Sequence, residues 1–94
     1  MAFTGRDVLQ VRTGLGLGQI QFAQLLGVHP ITVSKWERGI SAPTPYQEAF
    51  IESFRQAAQD KAVRERVGKL LVKAGIIAVM FLLLKAAARE RRKS

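Results

Sequence analysis

The chain has 94 residues, with 15 basic and seven acidic side chains, one histidine and no cysteine. That length allows one domain plus an extension, and the lack of cysteine excludes disulfides and thiolate metal sites. A single histidine among scattered acids is a poor catalytic inventory, so no enzyme, metal site or cofactor is expected.

The charge is unevenly placed. Residues 1–60 carry five basic and five acidic side chains, whereas residues 61–94 carry ten basic and two acidic ones. The net charge of +8 therefore lies entirely in the last third of the chain. A basic surface of this kind suits a polyanion, either nucleic acid or an anionic membrane. The opening Met-Ala-Phe-Thr-Gly has no basic stretch leading into an apolar core, so no secretory leader is expected and a cytoplasmic setting fits.

Helical signals dominate in chain order. Thr4 followed three residues later by Asp7 forms a capping-box pattern ahead of Val8, Leu9 and Val11. Gly14, Gly16 and Gly18 end this first helix. Phe22, Leu25 and Leu26 recur at helical spacing in a second helix over Gln19–Leu26, which Gly27 terminates. Gly18 precedes that helix as a weak cap. After Val28 and His29, Pro30 opens a third helix that runs to about Arg38 and stops at Gly39. Residues 40–43 are a loop. Thr44, Pro45 and Gln47 then start a fourth helix, with Tyr46, Phe50 and Phe54 expected to face the core.

From Lys61 the pattern stays helical. Val63, Val67, Leu70, Ala74, Ile77, Phe81 and Leu84 alternate at spacings of four and three, a seam of about three heptads. The other positions between Lys73 and Lys85 are also mostly apolar, so this helix must be buried against something. Self-association through Val67, Leu70, Ala74, Ile77, Phe81 and Leu84 is the favoured reading. Folding back onto the preceding helices, binding a partner protein and meeting a membrane are the alternatives. A bilayer span is disfavoured, because the uninterrupted apolar run Ala74–Leu84 has eleven residues where roughly 20 are needed.

Two short helices joined at Gly27 make the unit that enters a major groove. Gln19, Phe22, Ala23, Leu25, Leu26, Gly27 and Val28, followed by Thr32, Val33, Ser34, Lys35, Trp36, Glu37, Arg38 and Gly39, resemble the Cro/C1-type (XRE) helix-turn-helix family of phage repressors. The resemblance covers about residues 6–45. It implies an all-α, lambda-repressor-like bundle of about four helices over residues 1–60, with residues 61–94 as a long, apolar, basic helical extension.

It also implies roles. Pro30, Ile31, Ser34 and Lys35 fall at the family's base-facing positions. Lys35 can donate to guanine O6 and N7, Ile31 can meet a thymine methyl, and Pro30 offers apolar contact alone. Gln19, Thr32, Arg38 and Ser41 match positions near the DNA backbone, and His29 is expected to cap the third helix or touch a phosphate. Arg12 and Glu37 match a structural ion pair. Val28, Val33 and Trp36 join the second and third helices, and Ala23 is small enough for their close crossing. The expected function is a regulator, a repressor by preference, that binds an inverted repeat of double-stranded DNA as a homodimer. Arg64, Arg66, Lys69, Arg89, Arg91, Arg92 and Lys93 are expected to add electrostatic attraction. The alternatives are an antitoxin-like or adaptor protein and a membrane-associated regulator.

Overall fold

A computed structural model describes residues 3–93, with side chains from Phe3 to Arg89. The described residues form six helices and no strand: α1 (Gly5–Gly14), α2 (Gln19–Leu26), α3 (Pro30–Glu37), α4 (Pro45–Ala57), α5 (Lys61–Lys73) and α6 (Ile76–Lys93). Arg91, Arg92 and Lys93, expected to contribute charge, lie outside the described side chains.

Local chemistry starts these helices where the cap residues stand. Thr4 Oγ1 accepts from the Asp7 N–H at 3.2 Å while Asp7 Oδ2 accepts from the Thr4 N–H at 2.8 Å. The Thr4 N–H foremost, and the Thr4 hydroxyl donating to the same oxygen at 3.0 Å, hold the Asp7 carboxyl below its ordinary range. The same reciprocal pair recurs between Thr44 and Gln47 at 2.9 and 3.2 Å, ahead of Pro45. Gly27 ends α2 in a left-handed conformation, φ +69°, which a side chain would disfavour.

α1 runs against the end of α3. A Cβ on Gly5 would sit 2.5 Å from the Glu37 carbonyl oxygen and 2.6 Å from that of Trp36. Both are backbone atoms, so no flexible group can swing away. Gly5→Ala is therefore expected to destabilise the fold by about 1–3 kcal/mol through overpacking, read as a lower urea midpoint. An unchanged or raised midpoint would show that the two helices separate at little cost.

One core unites the chain. Val8, Phe22, Val33, Ile51, Phe54, Val67, Val79 and Leu83 are fully buried and belong to a single cluster. The aromatic stripe of α4 departs from expectation. Phe54 is buried and Phe50 half-buried, but Tyr46 is 73% exposed. Each step of four residues advances about 40° around a helix, so a stripe spaced by fours drifts off the core. The three rings still form a row leading inward, edge-to-face for Tyr46–Phe50 with centroids 5.0 Å apart and tilted for Phe50–Phe54 at 6.2 Å.

The expected single C-terminal helix is two. Gly75 adopts φ +86°, and the Ala74 and Gly75 N–H groups both donate to the Leu70 carbonyl, at 2.8 and 3.0 Å. This left-handed turn folds α6 back along α5 and onto α4, with an edge reaching α2. The heptad seam is thereby split. Val67 enters the core and Leu70 packs beside it, Ala74 sits in the turn, and Ile77, Phe81 and Leu84 face solvent. The physical reason is that α6 is apolar on several sides at once. Lying between α4 and α5 covers Val79, Leu83 and Ala87 and partly covers Ile76, Met80, Leu82 and Ala86, which one partner along an a/d seam would leave wet. Among the described residues no helix is long and apolar enough to cross a membrane.

Candidate nucleic-acid interface

The α2–turn–α3 unit is held from beneath. Val33 and Trp36 of α3 and Phe22 and Ala23 of α2 are buried, and Val28 in the turn is half-buried. Pro30 occupies the first position of α3, where its missing N–H costs no hydrogen bond. The opposite side of α3 is open. Ile31 is 57% exposed and Lys35 is exposed, while Pro30, Thr32 and Ser34 are half-buried. An apolar branched side chain and an ammonium thus stand four residues apart on one turn-to-turn ridge, flanked by smaller groups.

Polar contacts sort the remaining candidates. Arg38 Nε donates to Ser34 Oγ at 3.2 Å, so the guanidinium lies back along α3 and shares the Ser34 hydroxyl. Ser41 is exposed in the loop after Gly39, its N–H turned to the Lys35 carbonyl at 3.4 Å. His29 stands at the N-cap of α3 but its side chain makes no capping bond and is exposed. The capping expectation therefore fails: the imidazole does not take over the α3 N–H groups.

Behind this surface lies a polar network of three side chains and one backbone carbonyl. Arg12 Nε and Nη2 donate to Glu37 Oε2 and Oε1 at 2.6 and 3.1 Å, and Arg12 Nη1 donates to the Leu17 carbonyl at 3.0 Å. Gln19 Nε2 donates to Glu37 Oε1 at 3.0 Å. Burial pushes the Glu37 carboxyl up, but the bonds from Arg12 and Gln19 and the Arg12 charge outweigh it and hold the group below its ordinary value. Three elements are tied by this one carboxylate: α1, the first residue of α2 and the last residue of α3. The link from Gln19 to Glu37 was not legible in the sequence, because a separation of 18 positions carries no periodic signal of contact. Gln19 retains a second amide N–H beyond the one that Glu37 takes.

Residues 8–46 match the family model described as helix-turn-helix, from the second turn of α1 to the start of α4. Those residues are a helix-turn-helix of the Cro/C1 (XRE) kind. No curated protein and no solved structure matches it. The coarse function follows from the helix-turn-helix: a DNA-binding transcription regulator of the XRE kind. Among the described residues no group of three or more His, Asp or Glu side chains could hold a metal ion.

The basic extension is only partly free. Arg66, Lys69, Lys85 and Arg89 are exposed. Arg64 instead donates to the Ala58 carbonyl at 2.5 Å, closing the C-terminal end of α4.

Proposed function

We propose that the protein is a cytoplasmic repressor that reads an inverted-repeat operator as a homodimer, with α3 of each copy in the major groove. The observation that carries this reading is the two-sided character of α3. Val33 and Trp36 anchor it in the core, and Ile31 and Lys35 project to solvent. In this reading Lys35 donates to a guanine and Ile31 packs on a thymine methyl. Pro30 and Ser34 border those contacts. Thr32, Gln19, His29, Arg38 and Ser41 approach phosphates, with the α2 N-terminus adding its N–H groups. Two copies are needed because one recognition helix reads few base pairs, and a two-fold dimer meets half-sites one helical turn apart.

Selecting bound duplexes from a random pool is expected to return an inverted repeat. Lys35→Ala is then expected to relax discrimination at one base pair per half-site by about 1–3 kcal/mol, measured on duplexes substituted at each position. An equal loss on every duplex would make Lys35 a phosphate contact and remove it from the specificity assignment.

A further inference from the structure

The exposed face of α6 has a charge order that identifies what covers it. Ala49, which borders two of the grooves, and the α6 helix, which borders two, order the surface. On one side, the groove between α1 and α4 is bounded by Asp7, Glu48 and Glu52 with the one guanidinium of Arg55. Ala49 also borders the next groove, between α4 and α6, which is apolar and includes Tyr46, Phe50 and Leu84. Beyond the α6 ridge, the groove between α6 and α5 is bounded by Arg66, Lys85 and Arg89 with the one carboxylate of Asp60. The surface therefore runs from a margin of net charge −2, across an apolar centre, to a margin of net charge +2.

The apolar centre holds four large side chains open to solvent. Tyr46 is 73%, Phe81 67%, Ile77 64% and Leu84 40% exposed. Together they present on the order of 500 Å², and the charged margins extend the face toward the ~800 Å² per partner of a standard interface.

We propose that this face docks a second copy of the chain about a two-fold axis parallel to α6. Such an axis lays the acidic margin of each copy over the basic margin of the other and stacks the two apolar centres. An anionic membrane would be repelled by Asp7, Glu48 and Glu52, and an acidic peptide would complement one margin alone. A second copy complements both. The geometry also suits DNA reading. Met80 of α6 borders a groove with Gly27 and Val28 of the helix-turn-helix, so an axis along α6 leaves both recognition units at the same end of the dimer. The proposal rests on the homodimer reading above and adds the surface that makes it.

The test is sedimentation of the full chain without DNA, beside two charge-reversed variants, Glu48→Lys/Glu52→Lys and Lys85→Glu/Arg89→Glu. The unaltered protein is expected to be a dimer. Each variant alone is expected to self-associate about tenfold or more weakly, because like charges then face each other. An equimolar mixture of the two is expected to form the heterodimer, which also shows that both variants are folded. Variants that remain dimeric alone would overturn the assigned surface while leaving the homodimer reading intact. An unaltered chain that stays monomeric would overturn both, and its co-sedimentation with vesicles of phosphatidylserine and phosphatidylcholine would assign the face to a membrane instead.

Discussion

Arg12→Ala is expected to cost about 3–5 kcal/mol of stability, the penalty for leaving a buried charge without its partner. The side chains of Arg12 and Glu37 are 14% and 8% exposed, so solvent compensates the carboxylate poorly. Glu37 would keep only the Gln19 amide, and the Leu17 carbonyl would lose its side-chain donor. Removing both charges together is a different matter. An Arg12→Met/Glu37→Met double variant is expected to lose less than Arg12→Ala alone, since no buried carboxylate remains to be desolvated. Urea denaturation of the three proteins checks this, and a cost below about 1 kcal/mol for Arg12→Ala would place the pair with exposed ion pairs.

The sign of the pH dependence follows from the same network. Glu37 is held below its ordinary value in the folded state, so its contribution is present above the unfolded carboxylate value and is lost as pH falls through the folded one. In Arg12→Ala burial is opposed by the Gln19 bond alone and is expected to raise the carboxyl instead. The gap in stability between the two proteins is therefore expected to be widest near neutral pH and to narrow on acidification, starting above the ordinary glutamate value, where the variant's raised carboxyl protonates, and closing below it, where Glu37 of the unaltered protein does. A gap that stays constant into acid would mean that the loss arises from packing and not from charge.

What the sequence made legible was local. Thr4 with Asp7 and Thr44 with Gln47 are three residues apart, so the cap is a property of the segment itself, and the structure has both. The helix-turn-helix is readable because Gly27 and the buried positions around it are tightly spaced. Contacts across the chain were not readable in this way. Gln19 bonding Glu37 depends on how α2 and α3 cross, and Tyr46 at the solvent depends on which part of α4 faces α6. The largest departure came at Gly75. The four-and-three spacing continues through Ala74 and Ile77, which conceals a left-handed glycine between them. Periodicity reports which side chains want burial and is silent on whether the partner is another chain or the same one.

Because α5 and α6 fold back, truncation after Asp60 is expected to abolish cooperative folding and not merely to release a tail. Val67, Val79 and Leu83 are fully buried in the same cluster as Phe22, Ile51 and Phe54. Burying a side chain of this size contributes about 1.5–3 kcal/mol. Losing three of them, with Phe50 and Phe54 newly wetted, approaches the roughly 5–15 kcal/mol that holds a small domain together. A 60-residue remnant is marginal on size alone. Leu83→Ala in the full chain is the graded form of the experiment, with an expected cost of about 2–5 kcal/mol from the cavity left between α4 and α6. Circular dichroism on heating reads both. The consequence for DNA binding is distinct: the truncated chain should lose DNA binding because α2 and α3 lose their support, at every salt concentration, whereas loss of the tail's charge alone would weaken binding most at low salt. A truncated chain that melts cooperatively and binds with only a shallower salt dependence would make the α5–α6 hairpin an electrostatic attachment to an independent helix-turn-helix.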